Sequence, residues 1–471
     1  MGINFDAINI DSAIKKRRET PQQMNAQDAI ANSDTHVAIE ALAGSGKTTV
    51  AIAGAGQADC SVKLYSFARD AIAELVSRGV PKTQVQTLSS LSYEVVRLNN
   101  PGIDFRVDTS KLYNIARGIV GDDPLFKGKL SDLMKVTNYL RALGTKPRSM
   151  WGGESQAYRQ FQEDNVSKVI AGAGLFDANL TVEDSAEAIF AILEECAEIQ
   201  GNLDPQDMVW WPYIYEMAVP QKTDLGIVDE AQDMDVTQLY CAIRAASRVA
   251  LIGDRHQAIY GWRGADEGNF VDTIGQLRAE VYPLTVSFRC DQAIIAEAQR
   301  LVPAIEARQG AGQGIVRTID LAHLASQVDP GDYIISRNNA HLFKVWTLLA
   351  RARKPAYILG SQVTKQMVSL TKSFMKSGED DFYEYVTEWA GEKVRGAAEK
   401  GAPTEHFLDV ARALLTVHEF AGSANAVMST LYDVAKDNPG PNVITLGTTH
   451  RMKGREADRV FRLNNYYGEG Q

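Results

Sequence analysis

Residues 36–49 read HVAIEALAGSGKTT, an apolar stretch followed by a glycine-rich loop that ends in Lys47, Thr48 and Thr49. The apolar stretch predicts a strand, and the pattern after Thr49 predicts a helix. Glycines let backbone N–H groups surround phosphate oxygens, and a helix N-terminus adds partial positive charge. The segment therefore predicts a nucleoside-triphosphate site in which Lys47 reaches the β- and γ-phosphates and Thr48 ligates Mg²⁺. Because Ala41 stands where such loops have glycine, a chance Gly-Ser turn is the alternative.

Further strands recur along the chain, separated by longer helical stretches. Strands separated by helices favour parallel α/β sheets. This pattern stops between about 105 and 205, and again between about 361 and 438, where helical periodicity dominates. The sequence therefore predicts two α/β cores, each interrupted by a mostly helical insertion. Apolar runs rich in β-branched residues predict strands at 36–40, 62–65, 225–228, 249–252, 333–335, 357–359 and 443–446.

Two acidic residues follow the strand predicted at 225–228. Asp229 and Glu230 begin the segment DEAQD, and a buried strand places them at the carboxyl edge of the sheet, beside the phosphate loop. Asp229 suits the Mg²⁺ shell, because Mg²⁺ takes one or two carboxylates and keeps several waters. Glu230 suits the deprotonation of an attacking water. The alternative is an acidic helix N-terminus, which the helix dipole favours without any catalytic role.

A third polar segment, GDRHQAIYGWRGAD, follows the strand predicted at 249–252. Gln257 is placed to sense a γ-phosphate. Tyr260, Trp262 and Arg263 offer the stacking and cationic surface that single-stranded nucleic acid uses. Because aromatic side chains near strand ends are also common in cores, packing is the alternative for these residues.

Composition excludes several classes of protein. The 49 Lys and Arg against 59 Asp and Glu give a net charge of −10, which excludes a basic nucleic-acid coat protein but permits a local basic groove. The content of 45% hydrophobic and 23% charged residues is that of a globular chain. No apolar run is long enough for a transmembrane helix or a signal peptide. The four scattered cysteines lack zinc-site spacing, which predicts reduced thiols in a cytosolic setting.

Together these segments resemble the UvrD/Rep/PcrA-like DNA helicases of superfamily 1, and the matched motifs cover nearly the whole chain. The resemblance implies two RecA-like P-loop NTPase cores with parallel sheets flanked by helices. The segments similar to the family's motifs are TPQQ at 20–23 (Q motif), AGSGKTT at 43–49 (Walker A), SFAR at 66–69 (Ia), TLSS at 87–90 (Ib), DEAQD at 229–233 (II), 253–266 (III), VSFR at 286–289 (IV), 335–340 (the next block) and TTHRMKGRE at 448–456 (V).

The resemblance implies ATP and Mg²⁺ as cofactors and a role for each matched residue. The implied catalytic residues are Lys47, Glu230, Gln257 and Arg289, and the implied metal ligands are Thr48 and Asp229. The implied nucleotide-binding residues are Gln23 (reading adenine), Ala43, Gly44, Ser45, Gly46, Lys47, Thr48, Thr49, Phe288 (stacking on adenine), Arg289 and Glu456. The implied DNA-binding residues are Phe67, Arg69, Thr87, Tyr260, Trp262, Arg263, Thr448 and His450.

By the same resemblance the chain divides into six segments. The first core comprises 1–104 and 206–290, with a helical insertion at 105–205. The second core comprises 291–360 and 439–471, with a small insertion at 361–438 that is typical of compact phage-type members. The implied partners are single-stranded DNA and single-strand/duplex junctions, without a membrane, in the cytoplasm of a bacterial or phage-infected cell.

One motif of the family is not found. Motif VI, which carries an arginine finger, has no counterpart in FRLNNYYGEGQ, the residues after Val460, and such an arginine raises phosphoryl-transfer rates by about 10³–10⁵. The main expectation is an ATP-dependent DNA helicase or translocase that moves 3′ to 5′ on single-stranded DNA and couples hydrolysis to unwinding, with DNA repair and replication as settings. One alternative is an ATP-gated single-stranded-DNA-binding fragment or subunit without independent turnover. Another is one chain of a heteromeric helicase, with motif VI supplied by a partner chain or a missing C-terminal segment.

Overall fold

Two compact units, Met1–Val316 and Arg317–Gln471, make up the chain. The computed structural model describes residues 19–463 except 68, 174, 176–178, 220–222, 259–266, 361–363, 399–403, 438, 439 and 441. Each unit contains a parallel sheet with helices packed on it, which confirms the predicted α/β class. None of the helices in the described ranges combines the length and apolar character that crossing a bilayer requires.

The first unit is built on one main sheet and a helical insertion. Its strands are β1 (Val37–Ala41), β2 (Val62–Ser66), β3 (Val85–Thr87), β4 (Arg106–Val107), β5 (Asn202–Leu203), β6 (Thr223–Asp229), β7 (Ala246–Gly253), β8 (Glu280–Leu284), β9 (Val286–Ser287) and β10 (Glu306–Ala307). Its helices are α1 (Pro21–Asn32), α2 (Lys47–Gln57), α3 (Arg69–Ser77), α4 (Leu88–Asn99), α5 (Lys111–Val120), α6 (Leu130–Ala142), α7 (Gln156–Gly172), α8 (Val182–Ala197), α9 (Asp207–Ile214), α10 (Val236–Arg244), α11 (Glu267–Leu277) and α12 (Gln292–Ala298).

The main sheet positions the candidate site. Its six strands are parallel and run in the order β3-β2-β6-β7-β1-β8. Asp229 of β6 pairs with Ile252 of β7, and Glu40 of β1 pairs with Gly253, so these three strands end level with one another. The carboxyl ends of parallel strands form the edge at which ligands bind. The loop after β1 therefore lies beside the residues that follow β6 and β7.

The helical insertion carries a buried ionic cluster. Arg141 of α6 is fully buried and donates to both carboxylate oxygens of Asp204, at 2.6 and 2.9 Å, and to Asp207 at 2.8 Å. The Arg141 guanidinium also lies over the ring of Trp210, 5.2 Å from the ring centre. The ammonium of Lys111 donates to Asp207 at 2.7 Å. Charges are tolerated in such a core because they are paired and hydrogen-bonded.

The second unit is built on a second parallel sheet, in the order β13-β12-β14-β11-β15. Its strands are β11 (Tyr333–Ser336), β12 (Ala356–Leu359), β13 (Ala435–Lys436), β14 (Ile444–Thr448) and β15 (Val460–Arg462). Its helices are α13 (Leu321–Gln327), α14 (Asn339–Arg351), α15 (Lys365–Ser377), α16 (Phe382–Ala398), α17 (Glu405–Ala421), α18 (Ala424–Val434) and α19 (Thr449–Met452).

The segment 291–316 differs from its predicted assignment. The sequence assigns it to the second core, whereas the division into compact units places it in the first. The reason is local pairing: β10 pairs with β9, which follows directly on the main sheet, and the amide of Gln292 donates to the carbonyl of Gly312 at 3.0 Å. The remaining boundaries of the six-segment division stay predictions.

Candidate nucleotide site and nucleic-acid contacts

The loop between β1 and α2 has the backbone of a phosphate cradle. Gly44 and Gly46 adopt positive φ angles of 73° and 90°, a conformation that glycine adopts without a Cβ penalty. Gly46 precedes α2 without any side chain capping that helix. Ser45 Oγ is buried and, among the described residues, has no hydrogen-bond partner. An uncapped helix N-terminus beside an unpaired buried hydroxyl suits an oxyanion. Ala43 lies in this loop and Thr49 lies in the first turn of α2.

The two predicted metal ligands lie in contact. Thr48 Oγ1 donates to Asp229 Oδ2 at 3.0 Å, and the amide of Glu230 donates to Asp229 Oδ1 at 3.0 Å. Burial raises the pKa of Asp229 to about 6, and the neighbouring charge of Glu230 adds to the effect. A buried carboxylate that resists ionisation gains from a nearby cation, and one carboxylate with one hydroxyl is a donor set that Mg²⁺ accepts. The residues present therefore fit the ion.

Lys47 and Glu230, both predicted to be catalytic, form an ion pair. Lys47 Nζ lies 3.2 Å from Glu230 Oε2, and the Lys47 side chain is 10% exposed against 34% for Glu230. Glu230 has a φ of 57°, in the left-handed region. Non-glycine residues in this region are uncommon and cluster at functional sites. The carboxylate of Glu230 reaches Lys47, the residue that directly follows the phosphate loop.

Sequence reasoning missed two residues that connect this pair to Gln257. Gln232 Nε2 donates to Glu230 Oε2 at 2.6 Å, and Gln232 Oε1 accepts the amide of Asp254 at 3.0 Å. The carboxylate of Asp254 in turn accepts from Gln257 Nε2 at 2.6 Å. Both residues stand inside the segments DEAQD and GDRHQ, but neither segment by itself indicates that they meet across two strands.

The predicted adenine reader, Gln23, bonds to the phosphate loop. Gln23 Nε2 donates to the carbonyl of Ser45 at 3.0 Å, and its Oε1 accepts the amide of Thr20 at 3.1 Å, forming part of a capping box at the start of α1. Neighbouring Gln22 bonds through both ends of its amide to Thr285. The adenine contact stays a prediction, while the observed bonds of Gln23 tie α1 to the loop.

Phe288 and Arg289 follow β9 and lie against the phosphate loop. The amide of Phe288 donates to the carbonyl of Gly44 at 2.8 Å. A Cβ at Gly44 would lie 2.6 Å from the Cβ of Arg289 and 2.7 Å from the hydroxyl of Ser287. The structure therefore brings the segment similar to motif IV against the loop similar to Walker A, within the first unit.

The residues predicted to bind DNA in the first unit are spread over several elements. Phe67 is partly buried against the core after β2, and Arg69 is an exposed residue at the start of α3. Thr87 precedes α4 and accepts the amide of Ser90 at 3.3 Å, so its hydroxyl caps that helix. The other three, Tyr260, Trp262 and Arg263, lie outside the described residues.

The remaining predicted residues belong to the second unit. Thr448 ends β14, and His450 and Glu456 are exposed. Thr448 lies on the wall of a cavity of about 220 Å³. The other lining residues are mostly polar: Asn339, Gln366, Met367, His406, Asp409, Val410, Ala413 and Arg451.

Comparisons with known proteins find similarity to helicases. Residues 72–277 match the family model of the UvrD/REP helicase N-terminal domain. The chain is 24% identical over 306 residues to the ATP-dependent DNA helicase PcrA of Bacillus subtilis, covering 59% of this chain and 38% of that protein. It is 27% identical over 275 residues to F-box DNA helicase protein 1 of Schizosaccharomyces pombe, covering 54% and 30%.

A third relative, the RecBCD enzyme subunit RecB of Mycobacterium tuberculosis, is 37% identical over 114 residues, which are 23% of this chain and 10% of that protein. These matches thus span between 10% and 38% of the relatives' own lengths. The matched family model, the helicase relatives and the two parallel-sheet units agree with one another. Over residues 72–277 the chain therefore resembles the N-terminal domain of UvrD/REP helicases.

Proposed function

We propose that the chain is an ATP-dependent DNA helicase or translocase that hydrolyses ATP at the loop of the first unit and moves 3′ to 5′ on single-stranded DNA. The observation that carries this proposal is the meeting of four side chains from two strand ends. Lys47 and Thr48 follow β1, Asp229 ends β6, and Glu230 comes next, with Lys47 3.2 Å from Glu230 and Thr48 3.0 Å from Asp229.

Each of these side chains has a task in phosphoryl transfer to water. Thr48 and Asp229 would hold Mg²⁺, which when bound neutralises charge on the β- and γ-phosphate oxygens. Lys47 turns from Glu230 to the phosphates, where its ammonium stabilises negative charge. Glu230 orients the attacking water and accepts its proton. Arg289, which lies against the same loop beside Gly44, supplies a second cation to the γ-phosphate.

Residues of each unit are assigned to DNA binding. In the first unit we assign Phe67, Arg69, Thr87 and the segment that contains Tyr260, Trp262 and Arg263, because aromatic and cationic side chains bind unpaired bases and phosphates. In the second unit we assign Thr448 and His450. The polar cavity beside Thr448 and the exposure of His450 support that assignment.

The test is steady-state ATP hydrolysis by the 471-residue chain, with and without single-stranded DNA. We expect stimulation by DNA, and a loss of about 10²–10³-fold in Lys47→Ala, since removal of one charge-stabilising group at a reacting centre has an effect of that size. Lys135→Ala is the matched control, because Lys135 is a surface lysine whose side chain is 73% exposed. Hydrolysis that persists in Lys47→Ala would contradict the proposal.

The similarity to a protein named as a subunit, RecB, favours a second candidate. In that case the chain binds ATP and single-stranded DNA but needs a partner chain for turnover. Titration with a fluorescent ATP analogue separates the two candidates. Binding that Lys47→Ala weakens, without hydrolysis by the wild-type chain, supports the subunit, whereas hydrolysis by the chain alone excludes it.

A further inference from the structure

We infer that Gln232 is the positioning residue for Glu230, holding the Glu230 carboxylate in place when Lys47 leaves it for the phosphates. The inference rests on the proposed function, because Glu230 needs this orientation only if it activates a water. Gln232 itself does not touch the reacting atoms in this assignment. It acts through the carboxylate that does.

The amide of Gln232 is fixed at both ends. Gln232 is fully buried, its Nε2 donates to Glu230 Oε2 at 2.6 Å, and its Oε1 accepts the amide of Asp254 at 3.0 Å. Rotating the amide by half a turn would set oxygen against carboxylate and nitrogen against N–H, so only one orientation satisfies both partners. A Cβ at Gly253 would lie 2.7 Å from Gln232 Oε1 and 2.9 Å from Phe270, which shows how closely this side chain is enclosed.

Lys47 and Gln232 share one oxygen of Glu230. Lys47 Nζ lies 3.2 Å from Oε2, and Gln232 Nε2 lies 2.6 Å from the same atom. When the lysine turns to the phosphates, the Gln232 bond to this oxygen remains. Glu230 also has a left-handed backbone, and such residues hold their geometry only where surrounding contacts determine it. The Gln232 bond is such a contact.

A neutral donor suits this task better than a cation. A second positive charge beside Glu230 would lower its pKa and weaken it as a base. An amide donor orients the carboxylate and adds no net charge. Through its other end, Gln232 also connects Glu230 to Asp254, whose carboxylate accepts from Gln257 at 2.6 Å.

The first variant is Gln232→Met, which keeps the length of the side chain and removes both hydrogen bonds. We expect kcat for ATP hydrolysis at saturating single-stranded DNA to fall about 10- to 100-fold, as happens when an orienting partner of an active-site group is lost. The KM for ATP and the affinity for a fluorescent ATP analogue should stay within about 2-fold of wild type, because Gln232 orients Glu230 and contacts no phosphate.

The second variant, Gln232→Glu, tests the hydrogen-bond pattern itself. The charged groups facing the introduced carboxyl are Glu230, Asp254 and Lys47, and two neighbouring carboxylates raise its pKa. Once protonated, the introduced carboxyl again offers one donor and one acceptor in the positions of the amide. Activity relative to wild type should therefore rise as the pH falls from about 8 to about 6. Gln238→Glu is the matched control, since Gln238 is also buried and accepts the amide of Asp235 in a capping box that glutamate serves equally.

Three results overturn the inference. One is wild-type kcat in Gln232→Met. Another is a parallel loss of kcat and nucleotide affinity in that variant, which is the pattern of a general structural defect. The third is a Gln232→Glu variant whose activity relative to wild type does not change with pH. A different result, a wild-type chain that binds ATP but does not hydrolyse it with or without DNA, overturns the proposed hydrolysis and the inference with it. Failure of the inference alone is therefore seen in the Gln232 variants, and failure of the proposed function is seen in the wild-type chain.

Discussion

Asp229 shows, at the scale of a single residue, how a functional group opposes stability. Its carboxylate is buried, and burial together with the charge of Glu230 raises its pKa from 3.8 to about 6. Between these two values the folded chain binds a proton that the unfolded chain has lost. Stability contributed by this group is therefore present at low pH, is lost as the pH rises through the window from about 4 to about 6, and stays lost above it.

Asp229→Asn should therefore stabilise the metal-free chain. A neutral amide avoids the penalty of ionisation, which for a pKa difference of this size is up to about 3 kcal/mol. We expect a higher thermal midpoint for Asp229→Asn than for wild type at about pH 8, a difference that nearly vanishes at about pH 4, and loss of ATP hydrolysis. Thermal unfolding in the presence of a chelator measures the first two effects. Asp132→Asn is the control, because Asp132 is a half-exposed surface carboxylate. An equal rise of the thermal midpoint in both variants would show that the effect at Asp229 does not come from burial of its carboxylate.

The chemistry of single residues predicted which side chains meet in the candidate site but not the hydrogen bonds that hold them in place. Lys47, Thr48, Asp229 and Glu230 were predictable because each carries the functional group that phosphate, Mg²⁺ or water requires, next to a predicted strand. The bond between Gln232 and Asp254 was not predictable, since it joins residues that are 22 apart in sequence and follow the ends of two adjacent strands. Only the register of β6 against β7 brings them together.

At the scale of elements, the phosphate loop and the segment after β8 depend on each other. Gly44 has a φ of 73°, and a Cβ there would lie 2.6 Å from Arg289 and 2.7 Å from Ser287. We therefore expect Gly44→Ala to lower the thermal midpoint, because the left-handed conformation alone costs about 1–2 kcal/mol for a residue with a Cβ. Nucleotide affinity should fall as well, since the loop must move away from Arg289.

Gly118→Ala is the matched control for that loop variant. Gly118 is an exposed residue of α5, and a Cβ there would meet nothing within 4 Å. Alanine in a helix interior is favoured over glycine by about 0.5–1 kcal/mol, so this variant should be neutral or slightly more stable. Gly44→Ala with an unchanged midpoint and unchanged affinity would show that the close approach of the two segments does not matter.

Strands were predictable where an apolar run fills a sheet interior. All seven predicted strands are present, within a few residues of their predicted limits. The strands that were missed lie at sheet edges or are short. β8 at the edge contains Pro283 and has mostly exposed residues, β3 has three residues, and β15 is exposed. Edge strands need no continuous apolar pattern, because one side faces solvent.

At the scale of the whole molecule, the two compact units have separate hydrophobic cores. One buried cluster of the first unit runs from Val95 to Met217, and the cluster of the second unit runs from Leu324 to Leu446. Units with their own cores can unfold in separate steps. We therefore expect two transitions in differential scanning calorimetry of the full chain.

Paired substitutions assign these two transitions. Arg141→Met leaves Asp204 and Asp207 buried without the guanidinium and should destabilise the first unit by about 3–5 kcal/mol. Leu414→Ala removes a fully buried side chain of α17 and should destabilise the second unit by about 2–5 kcal/mol. Each should lower one transition and leave the other in place. Arg300→Met, at a side chain 74% exposed, should move neither, and a single transition lowered by both core variants would show that the chain unfolds as one.

The ion pair between Lys47 and Glu230 also bears on how a catalytic cycle returns to its start. When a product anion departs, Lys47 would remain as a nearly buried cation, which is unfavourable without a counter-charge. Glu230, 3.2 Å away, supplies that charge, so the site stays electrically balanced after release. In the proposed cycle the departing nucleotide would therefore compete with an internal anion for the same ammonium, which favours its exit. If the chain hydrolyses ATP as proposed, we therefore expect removal of the Glu230 carboxylate to slow product release in addition to removing the base.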